Sequence, residues 1–253
     1  WDLPICTNIA NLFYQCSALT SLNLSGWDLS ACTNISNLCY QCTSLTSVDA
    51  SNWTLNTTSN TSASGMFLGC TALTSVSLTN WNTSKITTCQ QMFDGCNNAS
   101  FTTLSLANFN FGNCTNFAYM FRSCSKLTTL TISGWTLNSS ANISMYRMFY
   151  GCAALTSIDI TSWNMTKVTD TTGMFYACTE LLTLSVPSTL LYAHNSFATA
   201  CTKITTLNMY PNTAPTVSGT PFTARGSSCV LHVPSGTSSY TTSPWNSSTY
   251  FAQ

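Results

Sequence analysis

Charge is the scarcest ingredient of this 253-residue chain: seven Lys or Arg stand against seven Asp or Glu, 6% of the residues. An ordinary soluble domain carries roughly a quarter. Zero net charge excludes an electrostatic nucleic-acid binder, which needs a basic face to displace counterions. Histidine is almost missing too: His194 and His232 stand alone, outside any Gly-x-Ser-x-Gly or His-Glu-x-x-His context. The acids are scattered, and Asp49 and Asp159 hold equivalent positions four repeats apart, too distant for glycosidase-like pairing. With no convergent groups, the expectation is a protein that is not an enzyme and has no cofactor and no metal. Long apolar runs are also lacking. Residues 29–48 are a charge-free twenty, but they alternate apolar residues with Ser, Thr, Asn and Gln, which hydrocarbon would leave unpaired. No membrane span is expected. No basic-then-apolar leader opens the chain, which suggests a trimmed product. Trp1 then enters at a turn position, so either more residues precede it or another subunit docks there head to tail.

What fills the chain is hydroxyl: 36 Ser and 43 Thr, about 31% of the residues, beside 44% apolar residues that exclude disorder. The pattern is periodic. Cys16, Cys42, Cys70, Cys96, Cys124, Cys152, Cys178 and Cys201 follow one another at steps of 23–28 residues. An aromatic residue precedes each of the first seven: Trp1, Trp27, Trp53, Trp81, Phe109, Trp135 and Trp163. An apolar pair such as Met92/Phe93 or Met148/Phe149 sits just before the cysteine, and an L-x-x-L-x-L segment follows it. Several columns held in register through eight copies predict a solenoid. We expect an α/β solenoid, a right-handed coil of about eight repeats with one short parallel strand per repeat. Segments 7–13 and 33–39 read as one or two helical turns, with Thr7 and Thr33 as N-caps. Residues 1–209 form the solenoid. Residues 210–253, with five of the seven prolines and one charge, read as a C-terminal cap with a strand near 229–233.

The clearest copies, WNTSKITTCQQMFDGC (81–96) and WNMTKVTDTTGMFYAC (163–178), carry a pattern that resembles the BspA-like leucine-rich repeats and the related surface-lipoprotein repeat. The resemblance covers about residues 1–209. It implies a secreted or surface-exposed protein, several members of that group being adhesins. Cys39 departs from it in place of the usual Phe, and residues 97–103 carry an insertion.

Fourteen cysteines invite a disulfide or zinc reading, but eight fill one column and others replace apolar residues in parallel columns. Small buried thiols in core slots account for them. Cys6 and Cys32, one coil apart in one column, are the possible disulfide. Cys39 and Cys42 fit the C-x-x-C spacing without a second pair or nearby His, which argues against zinc.

Twelve Asn residues lie in N-x-S/T sequons, where composition alone gives roughly seven. Turn positions make Asn56, Asn60, Asn82, Asn98, Asn138, Asn164 and Asn246 the glycosylation candidates. Covalent N-glycans would keep a nearly uncharged surface soluble. Solvent-pointing strand positions form a hydroxyl row, Ser21, Ser47, Ser75, Thr103, Thr129, Ser157, Thr183 and Thr206, a candidate sheet-face binding site. A regular hydroxyl lattice also suits ice binding, a minor alternative weakened by Asn23, Asp49, Asp159 and Asn208 in the adjoining row. The expected function is adhesion to, or recognition of, a protein or glycan partner outside the cell or at its surface. The alternative is a structural filament subunit that assembles with copies of itself.

Overall fold

The computed structural model describes residues 3–224, 228–241 and 245; Trp1 and Asn246 fall outside them. The chain winds as a parallel β-solenoid. Nine short strands stack on one side: β1 (Ser21–Asn23), β2 (Ser47–Asp49), β3 (Ser75–Ser77), β4 (Thr103–Ser105), β5 (Thr129–Thr131), β6 (Ser157–Asp159), β7 (Thr183–Val186), β8 (Thr206–Met209) and β9 (Val230–His232). All pairings are parallel and in repeat register, as in Ser21↔Ser47↔Ser75 and Thr183↔Thr206↔Val230. The middle residue of each strand points inward, which is why Leu104, Leu130, Ile158, Leu184 and Leu207 are buried while their neighbours face solvent.

This strand side is discontinuous. It runs as β1–β2–β3, then β4–β5, then β6–β7–β8–β9, with no pairing from β3 to β4 or from β5 to β6. The first gap follows the insertion at 97–103, which lengthens the approach to β4. Nothing in the sequence explains the second.

The other side of the coil overturns the expected α component. Segments 7–13 and 33–39 are not helical; they are tandem turns. In the first coil Leu12 N–H donates to Ile9 O, and Cys16 N–H to Phe13 O, each closing a four-residue turn. The third residue of each turn, Asn11 (φ 60°) and Gln15 (φ 54°), is left-handed, as a type II turn requires. A left-handed residue every fourth position forbids the α-helix that the apolar spacing suggested. Thr33 is not an N-cap: its N–H and hydroxyl both go to Thr7 O in the previous coil.

The tandem turns leave alternate amides free for the next coil. Ile9, Asn11, Phe13 and Gln15 N–H donate to Asn34, Ser36, Leu38 and Tyr40 O. The same rungs recur in every coil, through Gly65→Gln90, Phe93→Met120, Phe121→Met148 and Phe175→Phe197 to Ala198→Pro221. This turn-side ladder crosses both junctions where the strand side parts.

Between the two sides lies a core of stacked columns. Phe67, Phe93, Phe121, Phe149 and Phe175 stack face to face at 5.2–5.8 Å. Such pairs add about 0.5–1.5 kcal/mol each beyond burial. Trp27–Trp53–Trp81 and Trp135–Trp163 form a second stack. Indole N–H groups bond across paired junctions: Trp53 to Leu24 O, Trp81 to Ala50 O and Trp135 to Leu106 O. At the β3/β4 junction the residue is Phe109, with no donor. At the β5/β6 junction the buried Trp163 N–H has no partner.

Candidate functional site

The strand side presents the expected hydroxyl row, with Ser21, Ser47 and Ser75 in register, then Thr103 and Thr129, then Ser157, Thr183 and Thr206. Beside it run Asn23, Asp49 and Asp159, whose carboxylate or amide oxygens accept N–H from Ser25, Ser51 and Thr161 two residues on. Hydrogen bonds from Ser51 and Thr161, side chain first and then backbone, hold the Asp49 and Asp159 carboxyls below the usual range. Another threonine column is committed to structure: Thr46, Thr74 and Thr128 hydroxyls donate to carbonyls of the coil before. A depression of about 240 Å³ opens where β5 and β6 part, lined by residues 128–133 and 156–159.

The turn side carries a cluster that sequence patterning passes over. Its left-handed column reads Asn11, Asn37, Gly65, Gln91, Tyr119, Arg147 and Gly173. Tyr119 (φ 60°) and Arg147 (φ 51°) are bulky side chains in a conformation that costs about 1–2 kcal/mol, where other coils hold Asn, Gly, Gln or Ser. Around them the side chains interlock. The Arg122 guanidinium lies over the Tyr119 ring at 4.6 Å and pairs with Asp94, buried in the preceding coil, at 2.7 Å. The Arg147 guanidinium lies 5.0 Å from the Tyr146 ring and 5.2 Å from that of Tyr150. Tyr150 stacks on Tyr176 at 4.8 Å. Gly173 is needed beneath: a Cβ there would stand 3.1 Å from Arg147 Cγ. Burial, then bonding to Tyr146, pushes the Tyr119 phenol up. The ion pairs among the described residues are Arg122–Asp94 and Lys203–Glu180, so the Arg147 charge has no acidic counterpart. Two of the three arginines in the chain sit here, each beside tyrosine, and that concentration is the signal the sequence offers.

From Cys42 onward the cysteine column is interior, while Cys16 is exposed, and the buried thiols do more than fill space. Thiols of Cys42, Cys70, Cys96, Cys124, Cys152, Cys178 and Cys201 donate to a carbonyl of the preceding coil at 2.9–3.3 Å. Six of those carbonyls belong to the column Phe; the seventh is Cys39. Burial pushes Cys96, Cys124, Cys152 and Cys178 far up, and Cys70 and Cys201 to about 12, which leaves them unreactive. Cys6 and Cys32 are free thiols, each donating to a carbonyl two residues on. Among the described residues no three His, Cys, Asp or Glu side chains converge to hold a metal, and no helix is long and apolar enough to cross a membrane.

Burial divides the sequons. Asn60, Asn82 and Asn164 are exposed and Asn98 is half-buried. Asn56 and Asn138, expected in open turns, are buried. Each folds its side-chain oxygen back onto three donors of its own loop, Asn56 onto Thr58 and Ser59, Asn138 onto Ser140 and Ala141.

Coils bonded to their neighbours through short parallel ladders, with recurring columns between them, define a β-solenoid repeat protein. Residues 1–102 and 97–185 match the family described as Mycoplasma protein of unknown function, DUF285, and the chain belongs to it. No curated protein matches in sequence. Among solved structures the chain is similar to a leucine-rich repeat protein from Bacteroides ovatus, at 16% identity and a TM-score of 0.31, over 93% of this chain and 68% of that one.

Proposed function

We propose that this is a non-enzymatic recognition module, displayed outside the cell, that engages a protein or glycan partner through the tyrosine–arginine strip of residues 119–176. The carrying observation is the backbone strain at Tyr119 and Arg147. A fold that elsewhere fills this column with Asn, Gly, Gln or Ser holds here a tyrosine and an arginine, stacked and pre-ordered, on a surface otherwise short of charge. Strain kept where packing does not demand it marks a working surface. The unmatched guanidinium favours a carboxylate-bearing partner, since Arg meets carboxylates with a two-pronged donor set.

The test replaces each residue by what other coils carry: Tyr119→Asn and Arg147→Gly. Both variants should keep the parent circular dichroism, and each should bind immobilised sialylated glycans or acidic peptides at least about tenfold more weakly. Equal binding by parent and variants would remove the strip from the contact surface. Glycans belong to the same reading, at Asn60, Asn82, Asn98 and Asn164; native protein with an intact mass of 27.4 kDa would exclude them. Residues 210–253 serve as the closing cap, supported by β9 on the strand ladder and by Tyr240 and Trp245 packed together beside Phe222. The low charge also favours the filament reading, because little repulsion opposes self-association. A ladder of sizes in dilute solution would select it over the monomeric module.

A further inference from the structure

The second coil breaks the aromatic column. Where other coils set Phe13, Phe67 or Phe93 at the first position of the second turn, this one sets Cys39, and the fourth position is the column cysteine Cys42. Cys42 N–H donates to Cys39 O at 3.2 Å, and Gln41 between them is left-handed. Such a turn holds its end Cα atoms within about 7 Å. A disulfide spans about 4.4–6.8 Å. Both side chains are fully buried, so both point into the core from the two ends of one turn. The interaction between the two neighbouring thiols draws Cys42 down to about 7 and pushes Cys39 up.

One coil below lies Cys16, an exposed member of the same column. Its N–H donates to Phe13 O at 3.2 Å, and the Cys42 thiol donates to that same oxygen at 2.9 Å. The Cys16 backbone amide and the Cys42 thiol thus share one carbonyl, and among the described residues Cys16 is the exposed member of the column.

We propose that Cys39 and Cys42 are a closable redox pair, and that Cys16 is the thiol through which a small-molecule disulfide reaches it. The Cys16 thiolate attacks the disulfide RSSR, the S–S bond breaks, and one RSH leaves Cys16 carrying SR. The Cys42 thiolate attacks the Cys16 sulfur and expels the second RSH. The Cys39 sulfur attacks the Cys42 sulfur as its proton passes to the departing Cys16 sulfur, which returns Cys16 to its thiol. Two cysteine thiols lose two electrons and two protons, and RSSR becomes two RSH. This inference stands apart from the recognition reading, since it concerns coils one and two and no binding partner.

The test incubates the folded protein with oxidised glutathione, blocks remaining thiols with iodoacetamide and maps the cysteines by mass spectrometry after peptic digestion. One bridge is expected, Cys39 to Cys42. Cys39→Phe, which installs the residue of the neighbouring coils, should keep the fold, lose that bridge and accumulate glutathione or a Cys42 link at Cys16. Cys16→Ser should slow bridge formation at least about tenfold without abolishing it, since access to a buried sulfur limits exchange. A first bridge elsewhere, as at Cys6–Cys32, or an unmodified Cys39–Cys42 pair overturns the proposal. Unchanged kinetics in Cys16→Ser overturns the role of Cys16.

Discussion

The strand side and the turn side of each coil are built on different terms. The strand side has the more familiar pattern, L-x-x-L-x-L, yet its ladder parts twice, between β3 and β4 and between β5 and β6. The turn side has only two- and three-residue strands leading into its turns, such as Thr61–Ser62 and Ile86–Thr88, yet its amide rungs join every coil from the first to the ninth. The thiol column is bonded coil to coil on this side, and the phenylalanine stack runs beside it. What holds the coils together across those two junctions is therefore the side with the less conspicuous motif.

The largest effect should come from breaking the turn-side stack. Phe121→Ala should cost about 3–5 kcal/mol of unfolding free energy, against about 2 kcal/mol for Leu104→Ala beside an open strand junction. Denaturant midpoints at equal m-value will rank the two, and the reverse order would make the strand side the spine. Next comes the turn geometry alone. Gly95, at φ 76°, has room for a Cβ, whose closest neighbour would be 3.7 Å away. Gly95→Ala should therefore cost about 1–2 kcal/mol, from conformation and not from crowding. A neutral result in thermal melts would deny that the left-handed residues constrain the coil.

Indole bonds sharpen the contrast between closed and open junctions. Trp135→Phe loses a hydrogen bond to Leu106 O and should cost about 1 kcal/mol more than Trp163→Phe, whose N–H has no partner to lose. Equal costs would mean the β5/β6 junction is not open in solution. The smallest effect is expected at Asp159. Its carboxyl is held below the ordinary range by Thr161, so its contribution is present above the unfolded-state pKa and disappears as pH falls through the lower folded value. Asp159→Asn keeps an acceptor, as Asn23 does at the equivalent place, and should be neutral at pH 7 while flattening the acid limb of the stability curve.

The repeat, its strands and its buried cysteines were legible because stacking imposes one residue type per column, and a column is visible in sequence. The tandem turns were not. Ile9, Phe13 and Cys16 have a spacing that suits a helix as well, and Asn11 and Gln15 give no sign of left-handed backbone until the rungs to the next coil are seen. The same limit hid Tyr119 and Arg147. They differ from their column, and a search for sameness discards such residues as exceptions. Asn56 and Asn138 misled for a related reason: a polar residue in a turn can close the turn and leave nothing outside.

The rungs between coils point along the stack, not around it, and that direction decides how the molecule would answer a pulling force. A protein tethered at its two ends carries the load through one terminal coil at a time, because each coil is held only by its neighbours. Extension should proceed in steps as coils peel away. A coil of about 26 residues adds roughly 85 Å of slack, from about 3.4 Å per residue less the roughly 5 Å it spans when folded. Repeated steps of that length in single-molecule pulling, instead of one rupture, are the behaviour of a tether that yields under stress without losing its remaining coils.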